Sequence, residues 1–187
     1  MRILLMMALL MVGLHGWGQV VDTLQKKNPI EWGRSYKKEF IPIQEFKKPG
    51  ISTPLNVQVQ TVENILTNKK YYYVRFEGYG TPPGIRITLI NEDELEEVIT
   101  FCKNLSEYTK QTKIPIDTEY HYDSFDNEFR IGAFWNPKNI KWTFFIEVDP
   151  IGMISANYYY DTTFISQFYQ VLMICKSSIS RLKEGKF

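Results

Sequence analysis

The sequence predicts an α+β fold: one curved antiparallel β-sheet of six to seven strands with two α-helices packed on one face. Residues 91–110 and 161–184 carry apolar side chains at helical spacing, which predicts two amphipathic helices. Seven shorter segments alternate apolar and polar side chains or are rich in aromatic and β-branched residues, as is typical of strands. The predicted order is strands, helix, four strands, helix. Short turns between successive strands favour an antiparallel meander.

The first 18 residues have the features of a signal peptide. A cationic start at Arg2 precedes an apolar run over residues 3–14. Gly16 and Gly18 then supply small residues at the positions that a signal peptidase reads, so we expect cleavage after Gly18. A membrane anchor is the competing interpretation, but a bilayer core requires about 20 apolar residues and this run is shorter. The pattern therefore predicts export.

Charge balance limits the classes of partner. Removal of residues 1–18 from the 187-residue chain leaves 169 residues, enough for one domain with a substantial core. Arg2 is the only charge in the removed segment, so 21 basic and 21 acidic side chains remain. Capture of nucleic acid depends on a positive excess. We therefore expect no nucleic-acid partner. We also expect no transmembrane span after signal cleavage.

Residues 19–54 are predicted to form an irregular N-terminal arm. Prolines interrupt this stretch, and neither the strand period nor the helix period is sustained. Several of its side chains are too apolar for a solvated tail, among them Trp32, Phe40, Ile41, Ile43 and Phe46. We expect the arm to pack along a single α+β domain formed by residues 55–187.

Three strands are predicted before the first helix, over residues 55–64, 71–77 and 85–90. In the third, Ile85, Ile87 and Leu89 alternate with Arg86 and Thr88, a period of two that is typical of a half-buried strand. We expect the three apolar side chains in the core. Arg86 would then face solvent.

The first helix is predicted to begin after Asn91. The side chain of Asn91 and that of Glu94, three residues later, are placed for a reciprocal capping box. Asp161 or Thr163 is the predicted cap of the second helix. Cys102 and Cys175 lie on the apolar stripes of the two helices. A disulfide between them requires Cα atoms within about 7 Å, and the alternative is that each is a small buried hydrophobe.

Four further strands are predicted near residues 117–123, 128–135, 140–148 and 152–160. The turn sequences DSFDN, NPKN and DPIG separate them. A four-residue NPKN loop would pair Trp135 with Ile140 and Ala133 with Trp142. The apolar face of this hairpin would then lie beneath the helices and contain Ala133, Trp135, Trp142 and Phe144.

The opposite, solvated face of the sheet is the candidate binding surface. Its predicted residues are aromatic or cationic: Tyr71, Tyr73, Arg75, Arg86, Arg130, Phe134, Lys141 and Phe145. This composition resembles that of recognition surfaces. It also arises from ordinary cross-strand pairing, in which rings and long cations cover each other, and that alternative stays open.

The sequence contains none of the usual motifs for catalysis or for cofactor binding. After cleavage His121 is the only histidine, so no histidine pair and no Cys/His zinc cluster can form. No GxSxG stretch accompanies His121, and the glycines of GYGTPPG lack the spacing of a phosphate-binding loop. We therefore predict no catalytic residues, no metal and no cofactor. Paired carboxylates of the glycosidase type remain open, because only their separation in space matters.

Several motifs together resemble a family of small exported proteins of Bacteroidota that has no known function. They are YYYVRFE, ITLINEDELEEVITFCKNL, EFRIGAFW, KWTFFIEV and a C-terminal helix ending in SRLKEGK, and the resemblance covers about residues 56–184. The resemblance implies the periplasm or cell envelope of a Gram-negative bacterium, and it brings no catalytic residues with it. The order of elements is similar to the TATA-binding-protein-like and helix-grip architectures, a likeness of fold that names no activity.

The function expected from the sequence is that of a non-catalytic exported protein, a binding or interaction module. Its partner would be a protein, or a small-molecule or glycan ligand. One alternative is a hydrophobic-ligand carrier with a pocket of about 300 Å³ or more between the sheet and the C-terminal helix. The other alternative is a carboxylate-dependent hydrolase.

Overall fold

The structure, a computed structural model, describes residues 35–47, 54–80, 83–112, 114, 116–150 and 155–186. The predicted signal peptide lies outside these ranges, as do residues 19–34 and 48–53 of the predicted arm and residues 152–154 of the last predicted strand. The described residues form eight strands and two helices.

The strands form two separate four-stranded antiparallel sheets. Sheet 1 contains β1 (Tyr36–Phe46), β2 (Leu55–Asn64), β3 (Lys70–Gly80) and β4 (Gly84–Asn91), and helix α1 (Glu92–Tyr108) follows it. Sheet 2 contains β5 (Thr118–Asp123), β6 (Phe129–Asn136), β7 (Lys141–Val148) and β8 (Ala156–Tyr160), and helix α2 (Phe164–Lys183) follows it. In both sheets the spatial order of the strands is their order in the chain.

The α+β class and the antiparallel strands are thus confirmed, but the prediction of one sheet is wrong. Each sheet is a meander in which a strand pairs with its neighbour in sequence. Helix α1 separates β4 from β5, and in the described structure these two strands belong to different sheets. Alternation along a strand shows that it has two faces, but it does not show which strands pair across an intervening helix.

Strand β1 corrects the prediction of an irregular arm for residues 36–46. The register of β1 against β2 shifts between Pro42 and Gln44, so the strand is irregular at its proline. Proline has no N–H to donate to a ladder and is tolerated on edge strands and at bulges. β1 is the edge strand of sheet 1. The proline that interrupted the sequence pattern therefore marks an irregularity within a strand.

The capping box of α1 is confirmed. The Asn91 side chain accepts a hydrogen bond from the Glu94 N–H at 3.0 Å, and the Glu94 carboxylate accepts from the Asn91 N–H at 3.5 Å. Glu94 also accepts from the Phe125 N–H at 2.9 Å, which ties the start of α1 to the β5–β6 turn. At α2, Thr163 occupies the N-cap position without a side-chain capping bond, and Asp161 accepts from the Thr163 N–H at 2.9 Å.

In the β6–β7 hairpin the residues lie on the predicted faces. The register of strand pairing, however, is shifted by two residues from the prediction. Trp135 pairs with Trp142, and Ala133 pairs with Phe144. The turn occupies residues 137–140, and Ile140 takes a left-handed φ of 50° that the sequence did not indicate. A shift of two residues keeps every side chain on its face. The four residues predicted for the core are all buried: Ala133, Trp135, Trp142 and Phe144.

Strand β4 has the orientation opposite to the predicted one. Ile85 and Ile87 are 58% and 41% exposed, whereas Thr88 and Ile90 are buried. Thr88 pairs with Phe76, and Ile90 pairs with Val74, on the core face of β3. Both faces of β4 carry isoleucine, so alternation alone could not choose between them.

Aromatic contacts join the two sheets and α2 in one core. The rings of Phe76 in sheet 1 and Phe129 in sheet 2 are stacked with centroids 4.6 Å apart. Phe168 of α2 lies 6.0 Å from Phe76 and 5.9 Å from Phe144. At the β3–β8 junction the Tyr158 hydroxyl accepts from the Tyr79 N–H at 3.0 Å. Both sheets therefore bury one face against the same core.

We expect Gly132→Ala to destabilise the protein by about 1–3 kcal/mol, the usual cost of overpacking. A Cβ at this position would lie 2.3 Å from the Tyr120 carbonyl oxygen and 2.7 Å from Cζ of Phe145. Gly84→Ala is the matched control in a strand, because its nearest contact would be a comfortable 3.7 Å from Arg86. Denaturant unfolding of both variants measures the difference. Equal stabilities would contradict the close packing at Gly132.

Cys102 and Cys175 are free and buried, so the structure contains no disulfide between them. Burial raises the pKa of both thiols, that of Cys175 to about 12. We expect a thiol-specific colorimetric reagent to react with neither cysteine in the native protein, and with both after denaturation without reductant. Fewer than two reactive thiols in the denatured chain would indicate a disulfide instead.

Candidate functional site

The eight predicted binding residues lie on three different surfaces. Three lie on the outer face of sheet 1, the face away from the core: Tyr71, Tyr73 and Arg75. Arg86 pairs with Gly78 on the inner face of sheet 1. Four lie on the outer face of sheet 2: Arg130, Phe134, Lys141 and Phe145. The single composite surface predicted from the sequence is therefore replaced by two outer faces.

The predicted residues of sheet 1 are largely engaged with their neighbours. The Arg75 guanidinium lies 5.1 Å from the centre of the Phe40 ring and forms an ion pair with Glu77. Lys69 lies 5.1 Å from the centre of the Tyr71 ring. Tyr73 is only 7% exposed, and burial raises its pKa to about 12. Rings and cations on this face cover each other, as the cross-strand alternative proposed.

Arg86 packs within the fold at the end of sheet 1. A Cβ at Gly80 would lie 3.1 Å from Cγ of Arg86, so the side chain runs along the β3 backbone. Its Nε is buried and has no hydrogen-bond partner. Arg86 therefore does not lie on the outer face with Tyr71, Tyr73 and Arg75, because the two faces of β4 are exchanged relative to the prediction.

The outer face of sheet 2 is a regular array of side chains set by strand pairing. One row across the strands contains Asp123, Arg130, Glu147 and Asn157. The next contains His121, Gly132, Phe145 and Tyr159, and the third contains Glu119, Phe134 and Thr143. Acidic side chains outnumber basic ones here, a feature that the predicted residues did not show.

Charges in the first row are paired. The Arg130 Nε donates to Asp123 Oδ1, and Nη1 of Arg130 lies 3.6 Å from Glu147 Oε2. The hydrogen bond to Asp123 raises the pKa of Arg130. Burial raises the pKa of Glu147, although Arg130 opposes the change. Arg130 is thus held by two carboxylates on its own sheet.

His121 lies between two carboxylates of its own strand. Its Nδ1 is 3.0 Å from Glu119 Oε1, and its Nε2 is 3.3 Å from Asp123 Oδ2. Both partners are acids, so these contacts do not have the order of a Ser-His-Asp arrangement. From the sequence, His121 was predicted to be an ordinary strand residue, and its two contacts with carboxylates were not predicted. They arise because alternate residues of β5 lie on the same face of the sheet.

The aromatic residues of this face differ in their exposure. Phe145 was predicted to face solvent but is 4% exposed. Its ring lies over Gly132, which has no side chain to displace it. Phe134 is half-buried, with its ring centroid 6.2 Å from that of Phe145 and 6.3 Å from that of Tyr159. Phe134 therefore presents the more accessible of the two predicted rings.

An open hollow of about 390 Å³ lies where β5 begins and β6 ends. Its lining residues are Asp117, Thr118, Glu119, Phe134, Trp135 and Asn136. The Trp135 indole is fixed by a 2.9 Å hydrogen bond from Nε1 to the Ile114 carbonyl. Of the lining residues, the sequence identified only Phe134 as a binding residue. The pairing of Thr118 with Trp135 and of Glu119 with Phe134 assembles the others beside it.

The proposed carrier pocket between the sheet and α2 is occupied by side chains. Five aromatic rings contact one another there at centroid distances of 4.8–6.4 Å: Phe46, Phe76, Phe144, Phe164 and Phe168. Within the described ranges, no group of three or more His, Cys, Asp or Glu side chains could hold a metal ion. The hollow on sheet 2 therefore offers more room for a ligand than this core does.

Comparison with known proteins gave no match: no family model matches the chain, and no curated protein does. Neither helix of the described part is long and apolar enough to cross a membrane.

Glu147→Gln is expected to stabilise the protein slightly at neutral pH. Its raised pKa means that the fold favours the protonated carboxyl, so folding becomes less favourable as pH rises through the titration of Glu147. The gain should be below about 1 kcal/mol because solvent screens a partly exposed charge. Thermal unfolding from pH 4 to pH 8 should show the variant's advantage shrinking towards acid pH. An advantage that grows on acidification would contradict the assignment.

Proposed function

We propose that the protein is an exported, non-catalytic binding module of the periplasm or cell envelope, with its contact surface on the outer face of sheet 2. The observation that carries this proposal is the hollow of about 390 Å³ beside the half-buried ring of Phe134. Ligand sites commonly combine a concave shape, an aromatic wall and a few polar groups, in volumes of about 300–1,000 Å³. The hollow has these features.

The polar groups of this face favour binding over catalysis. Arg130 is paired with Asp123 and Glu147, and His121 is held between Glu119 and Asp123. A nucleophile next to a general base is the usual sign of covalent catalysis, and the contacts of His121 are with carboxylates. These contacts hold the charged side chains of the face against one another, and a preformed surface lowers the entropic cost of binding.

The outer face of sheet 2 is preferred to that of sheet 1. On sheet 1, Arg75 is already engaged by Phe40 and Glu77, and Tyr73 is almost fully buried. On sheet 2, Phe134 is half-buried at the wall of a concave site, and Lys141 is exposed beside Asn136. The ligand would place one face against the Phe134 ring and polar groups near Glu119.

Phe134→Ala tests the proposal, with Tyr71→Ala as the matched aromatic control on the other sheet. A thermal-shift screen of wild-type protein against sugars, amino acids and short peptides identifies binders, and calorimetry measures their affinities. We expect Phe134→Ala to weaken a binder about tenfold or more, the effect of losing a ring that the ligand buries. Tyr71→Ala should leave the affinity unchanged.

Two results would contradict the placement of the site. One is a binder whose affinity is the same in wild-type protein and in Phe134→Ala. The other is a binder that is lost only in Tyr71→Ala, which would move the contact surface to sheet 1. Circular dichroism of each variant confirms that the fold is retained.

A further inference from the structure

We propose that the hollow on sheet 2 binds an organic cation, the ammonium or guanidinium group of a ligand. The inference rests on the proposed function, since it assigns a chemical class to the same site.

Among the residues that the structure describes, the charged ones that line the hollow are both acidic. They are Asp117 and Glu119, and none of the described lysines and arginines lines it. Asp117 is exposed and makes no hydrogen bond or ion pair with the rest of the described chain. Glu119 contacts His121. The hollow therefore offers one unpaired carboxylate and one that is only partly engaged.

The Phe134 ring completes a site suited to a cation. Glu119 is the direct cross-strand partner of Phe134, so the carboxylate and the ring rise side by side from the same face. The contacts with Phe145 and Tyr159 hold the ring in place. A cation above an aromatic ring is attracted by its negative face, and here it would also lie within reach of a carboxylate.

Nearby carboxylates act on the neighbouring groups in addition to burial. Burial is the main reason why the pKa of Tyr159 is raised, and the charges of Glu147 and Glu119 add to it. Burial likewise raises the pKa of Glu147; Glu119 and Asp123 add to this effect, whereas Arg130 and His121 oppose it. A bound cation would relieve this repulsion. An anionic ligand would increase it.

A neutral sugar is a poorer fit because three polar atoms of the hollow are already engaged: the Asn136 Oδ1, the Thr118 hydroxyl proton and the Trp135 Nε1. The Asn136 Oδ1 accepts hydrogen bonds from the N–H groups of Lys138 and Asn139. The Thr118 hydroxyl donates to the Ile116 carbonyl at 3.3 Å. The Trp135 Nε1 donates to Ile114. The carboxylates are the lining groups with the most capacity left for a ligand.

The test is an NMR titration of the full folded domain with small compounds that differ in charge. The cations are acetyl-arginine methylamide, which presents a peptide side chain, and agmatine, a free amine. Acetyl-glutamine methylamide and methyl glucoside are the neutral compounds, and acetyl-glutamate methylamide is the anion. We expect saturable shifts at Glu119 and Phe134 with the cations alone, and weaker binding at higher salt.

Charge variants sharpen the test. Asp117→Asn and Glu119→Gln keep the side-chain size, and each should weaken cation binding about two- to fivefold, as expected for an exposed ion pair. Glu39→Gln, on β1 of sheet 1, is the matched acidic control and should have no effect. Lys141→Ala should strengthen binding, since Lys141 pairs with Asn136 at the edge of the hollow.

The outcomes separate this inference from the proposed function. Binding of the sugar in a Phe134-dependent manner, without binding of the cations, would overturn the cation assignment and leave the binding module intact. Shifts that are unchanged in Asp117→Asn and Glu119→Gln would also overturn it. If no compound perturbs the hollow, both the inference and this contact surface are wrong. Preference for the arginine derivative over agmatine would identify a peptide as the source of the cation.

Discussion

The fold depends on aromatic packing between two sheets, each of which has an apolar face to bury. Each sheet has four strands with one apolar face, and such a face must be buried against another layer. Phe168 of α2 meets Phe76 of sheet 1 and Phe144 of sheet 2, while Phe129 stacks on Phe76. Each buried ring contributes roughly 2–3 kcal/mol. Because this core uses the inner faces, the outer faces are left for the proposed binding function.

Local features were predicted well because they depend on neighbours in sequence. The capping box of Asn91 and Glu94 lies within one helical turn, and both helices follow from their apolar stripes. The strands that were predicted also exist. β1 was not predicted because Pro42 interrupts the strand pattern of the sequence. A proline is nevertheless tolerated in an edge strand.

Features that depend on pairing were predicted less well. The hairpin register differs by two residues because the turn includes Ile140 in a left-handed conformation. The predicted inner and outer faces of the hairpin are nevertheless correct, because the direction of the side chains repeats every two residues and the register shift is two residues. Division into two sheets has no local signal, since it depends on which strands meet after α1.

In the candidate site too, features of a single strand were predicted better than features that depend on strand pairing. Phe134 could be identified from its place in an alternating strand, and Arg130 was correctly placed outside. The acidic part of the hollow could not be identified, because Asp117 and Glu119 come from a different strand segment and meet Phe134 only through the β5–β6 register. Phe145 was misjudged because its burial depends on the missing side chain of Gly132 across the sheet.

Because β1 contacts α2, the core can be completed only late in biosynthesis. Phe46 and Phe164 have ring centroids 4.8 Å apart but lie 118 positions apart in the chain. Successive strands can pair as the ribosome releases them, since their contacts are local. Part of the apolar side of sheet 1 nevertheless stays uncovered until the last helix has been made, because Phe46 and Phe76 contact rings of α2. During that interval the nascent chain exposes the kind of surface that aggregates or recruits chaperones.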